Sequence, residues 1–283
     1  MKNPNQEPNY EVPANEKRKL VASFISSFTK YIDSYEGKKK IHWVGFRIKD
    51  KNRPEIEYDE DDEKICQALV DLSTALKLSD EEKSDILTQM LEKYDIGMAE
   101  HCTRLTKLAL ITFNKLGLSS VRENNQEISA EEYIRYLNLA SRIHNVGKLG
   151  IPRRIILSDR SLTEKTRPIV EKHSECGEVF ARRLDINKFS LDFIEHHHEN
   201  WNGSGYPDHQ EGLNISLGSR ILRIIDIYDS LVSDRIYRKG LTHNEAMKII
   251  QEGSGSLTDP ELIDLFVKIP EEVLKDAPAR DKS

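Results

Sequence analysis

Several features that would fix a class of protein are scarce or missing in this sequence. Its 283 residues include three cysteines, Cys66, Cys102 and Cys176, which do not make a disulfide framework, so a reducing cytoplasm is the expected compartment. No apolar run approaches the roughly 20 residues that a bilayer span needs. The first residues, MKNPNQEPNYEVPANEKRK, lack the apolar stretch of a secretory signal. Excess positive charge is also missing, since the formal net charge is -6. This balance argues against a DNA partner or a membrane-surface partner, although one cleft can still be basic.

The sequence does contain enough apolar residues for a core, and its first third predicts a small region of mixed structure. A helical period runs from Arg18 to Tyr35. The apolar residues on its expected buried face are Leu20, Val21, Phe24, Phe28 and Ile32. KKIHWVGFRIKD at 39–50 predicts a strand, PEIEYDE at 54–60 a partner for it, and the acidic run at 59–64 opens another helix. We interpret residues 1–90 as an α(+β) accessory region for signal input or dimerisation, which allows a homodimer.

After residue 95 the sequence predicts a succession of helices with clear starts and stops. Gly117 suits the residue just beyond a helix end, and Ser129 with Glu132 has the spacing of a capping box. Further helix starts are predicted at Ser190, Ser216, Thr242 with Glu245, and Asp259-Pro260. No long alternating strands occur in this half. The predicted fold is therefore mainly α, with an all-helical bundle over residues 91–275 and a polar tail at 276–283.

Six side chains that can bind metals lie on, or at the ends of, these predicted helices beside apolar neighbours. They are His101, His144, His173, His197, His198 and Asp226. A single histidine in such a position is usually a hydrogen-bonded core or surface residue. Six together are the pattern by which helix bundles build dinuclear sites from inward-facing imidazoles and carboxylates. Nitrogen and oxygen ligands without a thiolate suit Fe, Mn, Zn or Co rather than an iron–sulfur cluster.

Three segments, in order, resemble the motifs of one known family. His144-Asn-Val-Gly-Lys148 followed by Leu-Gly-Ile-Pro152 is similar to the HDxGKxGIP signature of HD-GYP proteins. The segment from His197 to Pro207, HHENWNGSGYP, resembles the family's HHExxDGxGYP. DIYDSLVSDRIYR, which begins at Asp226, resembles its DxYDALxSDRxYR. The family consists of bacterial phosphodiesterases that cleave the signalling dinucleotide cyclic di-GMP at a metal centre inside an all-helical HD fold. The resemblance covers about residues 95 to 270 and implies the same fold and substrate.

The resemblance also implies roles for particular residues. One divalent metal, Fe or Mn, would be held by His101, His144 and Asp226, and a second by His173, His197 and His198. Lys148 would reach a phosphate oxygen as a point charge. The other residues implied on the substrate side are Gly205, Tyr206, Pro207, Arg235 and Arg238. For Tyr206 packing is an alternative role, and for the two arginines an exposed position at a helix end. His196 is expected to face outward.

Position 145 departs from the family, because Asn145 stands where the family has the Asp that bridges the two metals. A carboxylate offers two anionic oxygens, whereas an amide offers one neutral oxygen and one NH₂ group that binds metal poorly. We expect lower affinity for at least one metal and a large loss of rate. The site could then keep one metal at His101, His144 and Asp226, or keep both through the remaining ligands.

Three functions compete at this point. The first is a cyclic di-GMP phosphodiesterase with two metals, in which Lys148 and the altered Asn145 belong to the catalytic site. The second is a degenerate module that binds the nucleotide, or that scaffolds a diguanylate cyclase or another signalling protein through the Gly-Tyr-Pro loop. The third, a generic HD-type nucleotidase or metal-independent helical adaptor, leaves the Gly-Tyr-Pro segment unexplained.

Overall fold

The computed structural model describes residues 12–35, 60–158, 162–234 and 239–275, and these residues are mainly helical, as predicted. Among them, a single two-stranded sheet interrupts the helices. The elements in chain order are α1 (Ala14–Tyr35), α2 (Glu60–Leu76), α3 (Asp80–Tyr94), α4 (Met98–Lys115), β1 (Ser120–Glu123), β2 (Gln126–Ser129), α5 (Ala130–Ile143), α6 (Arg153–Ile156), α7 (Arg167–Glu171), α8 (His173–Arg183), α9 (Lys188–His196), α10 (Leu217–Val232), α11 (His243–Glu252), α12 (Pro260–Phe266) and α13 (Glu271–Lys275). Short 3₁₀ turns cover Val146–Gly150 and Gly212–Asn214. None of the described helices has the length and apolarity to span a membrane.

The N-terminal helix α1 forms as predicted, and four of its five expected core residues pack against the core, Phe28 and Ile32 buried and Val21 and Phe24 partly buried. Ile25, Phe28 and Ile32 are buried against α2 and α3, whereas Leu20 is 43% exposed. The prediction of Leu20 on the buried face was wrong, because Ile25 continues the stripe of Phe28 and Ile32 at helical spacing. The predicted strands at 39–50 and 54–59 lie outside the described residues, and Glu60 begins α2. The division of the chain near residue 90 stays a prediction.

A short β-hairpin connects α4 to α5 and was not anticipated. Its strands pair antiparallel from Ser120 opposite Ser129 to Glu123 opposite Gln126. The turn residues Asn124 and Asn125 both have left-handed φ values, 50° and 60°, which a two-residue turn of the primed type requires. Two strands of four residues each carry too little alternation to be recognised in the sequence.

The hairpin fastens α5 to the start of α10 through a buried chain of hydrogen bonds. The Tyr133 hydroxyl donates to the Glu123 carboxylate over 2.8 Å, and the Leu217 N–H donates to the same oxygen over 2.7 Å. The Gly218 N–H in turn donates to the Tyr133 hydroxyl over 2.7 Å. Burial raises the pKa of Glu123, although these donors oppose the rise. This link holds the helix that carries Asp226 against the rest of the bundle.

Most of the predicted helix caps are present, and two differ. Ser216, Thr242 and Asp259 each accept a hydrogen bond from a backbone N–H in the first turn, and Gly117 follows α4 with φ 64°. The predicted cap at Ser190 was wrong. Asn187 caps α9 instead, and its side chain accepts from the Ser190 N–H.

The second difference concerns the capping box predicted for Ser129 and Glu132. The Ser129 hydroxyl accepts from the Glu132 N–H over 3.3 Å, as a cap should. The Glu132 carboxylate accepts from the Tyr136 hydroxyl. At the start of α5 only the hydrogen bond to the Ser129 hydroxyl is therefore seen, whereas the capping box of Thr242 and Glu245 has both of its hydrogen bonds.

The 3₁₀ turn after α5 lies directly against the first turn of α8, and Gly147 makes this contact possible. A Cβ atom at Gly147 would lie 1.8 Å from the carbonyl oxygen of His173 and 2.4 Å from the N atom of Gly177. Any side chain at this position would overlap the backbone of α8. The contact fixes the segment containing His144 and Asn145 beside His173.

We expect Gly147→Ala to lower the free energy of unfolding by at least about 2 kcal/mol, because the added methyl group must push two backbone segments apart. Urea denaturation followed by circular dichroism measures the change. Gly253→Ala is the control: Gly253 has φ -82°, and its Cβ would lie 3.4 Å from the nearest atoms. That control should change stability by less than about 1 kcal/mol. Equal stabilities for the two variants would contradict the proposed close contact.

Candidate metal centre

The six predicted metal-binding side chains meet in two adjoining clusters. In the first, the Nε2 atom of His101 lies 3.3 Å from Nε2 of His144 and 3.5 Å from a carboxylate oxygen of Asp226. In the second, Nε2 of His173 lies 3.3 Å from Nε2 of His197 and 3.2 Å from Nε2 of His198. Within each cluster all three donor atoms lie within 4.8 Å of one another, a spacing that can hold a metal ion.

The two clusters touch each other through the rings of His144 and His197, whose centroids are 5.1 Å apart. Three helix ends supply four of the predicted ligands, and two helix interiors supply the other two. His101 and Asp226 lie within α4 and α10, His173 begins α8, and His144 follows the end of α5. Because α9 ends at His196, the adjacent His197 and His198 lie beyond the regular helix, and both can turn toward one point.

Three of the histidines are oriented by the same local hydrogen bond. In His144, His173 and His197 the Nδ1 atom lies 2.9, 2.6 and 2.6 Å from the carbonyl oxygen three residues earlier. A carbonyl oxygen only accepts, so Nδ1 carries the hydrogen in each ring. The Nε2 lone pair of each ring then points into its cluster, as in metal-ligating histidines.

Burial keeps these imidazoles in the neutral form that binds metals. It lowers the pKa of His144 to about 3 and that of His173 to about 4, and the positive charge of Lys148 contributes to both shifts. The pKa values of His197 and His198 also lie well below the usual range, first because of burial and then because of neighbouring imidazoles. Neutral, aligned nitrogen donors with one carboxylate fit a pair of divalent cations.

His101 is oriented by a carboxylate that the sequence did not single out. Its Nδ1 lies 2.8 Å from the Asp229 carboxylate, which also accepts from Nε and Nη2 of Arg104 over 2.6 and 3.0 Å. Burial alone would raise the pKa of Asp229, but the hydrogen bonds from His101 and Arg104 outweigh it and hold this pKa well below its usual range. Asp229 lies three residues after Asp226, one turn along the same helix, and this spacing was the available signal.

Asn145 is buried in the first cluster. Its side-chain amide nitrogen lies 2.6 Å from Nε2 of His144 and 3.2 Å from Nε2 of His101. The amide thus adjoins the same nitrogen atoms that would face a metal, and it carries no charge. A carboxylate at this place could contact cations on both sides.

Lys148 lies at the edge of the centre, where its Nζ atom is 3.7 Å from an Asp95 carboxylate oxygen and its side chain is 20% exposed.

The Tyr206 ring stacks on His198, with centroids 4.9 Å apart. Gly205 is packed so closely that a Cβ atom there would lie 2.2 Å from the N atom of Asn200. The peptide bond between Tyr206 and Pro207 is cis. The Gly-Tyr-Pro loop therefore covers the second cluster. Arg235 and Arg238 lie outside the described residues.

The prediction that His196 faces outward was wrong. His196 is buried between Asp192 and Asp208, at 3.0 and 3.2 Å from their carboxylate oxygens. Burial opposes its protonation, but the hydrogen bonds and charges of these carboxylates prevail and raise the pKa of His196 to about 9. The side chain thus ties α9 to the end of the Gly-Tyr-Pro loop.

Comparison with known proteins identifies similar chains. The family model described as "HD domain" matches residues 85–262. A protein of Vibrio cholerae named cyclic di-GMP phosphodiesterase is 34% identical over 146 residues, which cover 49% of this chain and 30% of that protein. A protein of the same name from Thermotoga maritima is 29% identical over 191 residues, covering 67% of this chain and 49% of that protein. The 3'3'-cGAMP-specific phosphodiesterase 2 of Vibrio cholerae is 30% identical over 141 residues, covering 49% of this chain and 27% of that protein.

The chain thus spans less than half of the length of each of these relatives. The matched region contains both histidine clusters and the three signature segments. On this evidence the chain belongs to the HD domain family, and within it to the HD-GYP proteins.

Proposed function

We propose that this chain is a metal-dependent phosphodiesterase that hydrolyses cyclic di-GMP to the linear dinucleotide or GMP, at a rate reduced by Asn145. The observation that carries the proposal is the meeting of two three-ligand clusters, with His144 and His197 in ring contact between them. In this proposal His101, His144 and Asp226 hold one divalent cation and His173, His197 and His198 hold the other. Their nitrogen and oxygen donors suit Fe or Mn. When bound, such a pair supplies charge neutralisation at the phosphoryl oxygens and makes water more acidic.

The chain's own residues would bind and orient the substrate around this centre. Lys148 belongs to the 3₁₀ turn that follows His144 and packs against His173, and its charge lowers the pKa of both histidines. It could therefore contact a phosphate oxygen as a point charge. Tyr206 stacked on His198 presents an aromatic surface on which a guanine base can stack. Gly205 and Pro207 hold Tyr206 in this place, and Arg235 and Arg238 stay predicted substrate contacts.

A second candidate function, a nucleotide-binding or scaffolding module without turnover, is favoured by Asn145. The neutral amide removes a negative charge from between the two metal positions, so two cations there would repel each other with less compensation. The Gly-Tyr-Pro loop would then contact a diguanylate cyclase or another signalling protein. The cytoplasmic location, the homodimer and the accessory role of residues 1–90 stay predictions.

Restoring the carboxylate separates the two functions. We expect Asn145→Asp to raise the rate of cyclic di-GMP hydrolysis by Mn- or Fe-loaded protein at least about tenfold, because a carboxylate can contact both cations. Chromatography of the products measures the rate, with 3'3'-cGAMP as a parallel substrate. An active Asn145→Asp protein beside a native chain that binds nucleotide without product would establish the binding module. Lack of product from both proteins, with either substrate, would reject the phosphodiesterase.

We expect the Asp229 carboxylate to affect metal binding by orienting the His101 imidazole. We expect Asp229→Asn to weaken Mn²⁺ binding by about 10- to 100-fold, because the amide orients the imidazole poorly and leaves Arg104 without its anionic partner. Competition with a chromogenic chelator measures the affinity. Asp71→Asn, an exposed change on α2, is the matched control and should leave Mn²⁺ affinity unchanged. Equal affinities in the two variants would count against a role for Asp229 in orienting a ligand.

A further inference from the structure

The guanidinium group of Arg223, on α10, lies beside His198 in the wall of the second cluster. Its Nε and Nη2 atoms donate to the side-chain oxygen of Asn200 over 3.0 and 2.7 Å. Its Nη1 atom lies 3.4 Å from Nδ1 of His198. Among the described residues no carboxylate comes within ion-pair distance of Arg223, although Asp226 is one turn away. The positive charge is therefore held in place by neutral groups.

Two other arginines near the centre are paired with carboxylates. Arg220, one turn earlier on α10, has Nη1 2.5 Å from Asp259, and its guanidinium lies over the Trp201 ring. Arg104 binds both oxygens of Asp229. Arg220 and Arg104 thus each have a carboxylate partner, whereas Arg223 is bonded to the amide oxygen of Asn200.

Arg223 is partly buried, and a cation that is partly removed from water without a counter-charge is stabilised when an anion joins it. Burial lowers the pKa of Arg223, and the negative charge of Asp226 opposes this only in part. The charge of Arg223 also helps to lower the pKa of His197 and of His198. Together with Lys148, which acts on His173, it makes this side of the centre electropositive.

The first cluster has the opposite character. Asp226 belongs to it and Asp229 stands behind His101, so two carboxylates face it. The second cluster has three neutral imidazoles as its ligands and a guanidinium beside them. An anionic ligand is consequently repelled less beside the second cluster than beside the first.

We propose that Arg223 binds a phosphoryl oxygen of the ligand and so seats that phosphate beside His198 and Tyr206. The inference rests on the proposed function, in which the phosphate belongs to the cyclic dinucleotide. A guanidinium fork with two of its nitrogens fixed by Asn200 keeps Nη1 donors for an anion, which suits phosphate recognition. Asn200 also donates to the Ser204 hydroxyl over 3.0 Å, so Arg223 is attached to the Gly-Tyr-Pro loop.

Calorimetry on the Mn-loaded full chain tests the proposal with two probes, cyclic di-GMP and inorganic phosphate. We expect Arg223→Gln to weaken the binding of both probes about tenfold or more, the size of one charge-assisted hydrogen bond. Arg223→Lys should fall between this variant and the native chain, because it keeps the charge without the fork. Mn²⁺ affinity of Arg223→Gln should be equal to or higher than native, since a repelling cation is removed.

Arg220→Gln is the matched control on the same helix. It should lower the midpoint of thermal unfolding through the loss of the Asp259 pair, and it should leave phosphate affinity within about twofold of native. Arg223→Gln should lower that midpoint less than Arg220→Gln does. Unchanged anion affinity in Arg223→Gln would overturn the proposal. So would joint loss of anion affinity, Mn²⁺ affinity and stability, which marks a structural residue.

The phosphate probe separates this inference from the proposed function. If the native chain binds phosphate through Arg223 but does not bind cyclic di-GMP, the anion site stands and the cyclic di-GMP assignment fails. If cyclic di-GMP binds native and Arg223→Gln proteins equally, the substrate assignment stands and the role of Arg223 fails. If the loaded native chain binds neither probe, both fail.

Discussion

The candidate metal centre depends on a contact between two stretches of backbone. The 3₁₀ turn that follows His144 presses on the first turn of α8, and the absence of a side chain at Gly147 permits this approach. The turn follows His144 and Asn145 of the first cluster, while α8 begins with His173 of the second. The distance between the two clusters is therefore set by main-chain packing, which is stiffer than any contact between long side chains.

Charge is distributed unequally around the centre, and this inequality shapes its chemistry. Two carboxylates face the first cluster, whereas the second has neutral imidazoles, a guanidinium and a nearby ammonium group. An Asp at position 145 would give both metal positions a shared negative charge. With Asn145 the difference in charge between the two sides of the centre is left uncompensated. This difference affects both metal binding and nucleotide binding.

Much of the fold and the grouping of the six proposed ligands could be predicted from the sequence, because both depend on local patterns. Helix caps such as Ser216 and Thr242 are signalled within four residues, and all six proposed ligands do lie together. The hairpin was missed because its strands are short, and Asn187 competed with Ser190 for a cap within the same turn. His196 looked like a surface residue, since the aspartate that reaches it across the loop, Asp208, is twelve positions away. Asp229 could have been found from its spacing to Asp226, but the contacts of Arg104 with Asp229 and of Arg223 with Asn200 join segments that no periodicity connects.

The hydrogen bonds that orient the imidazoles differ in the number of residues between the two partners. For His144, His173 and His197 the acceptor is a carbonyl only three residues back, so the end of a helix is enough to set the ring. His101 takes its orientation from Asp229, 128 residues further on. Local secondary structure consequently orients three of the rings, whereas the His101 ring is oriented only when α4 and α10 have packed together. Assembly of the first cluster thus requires contacts between segments that lie far apart in the sequence.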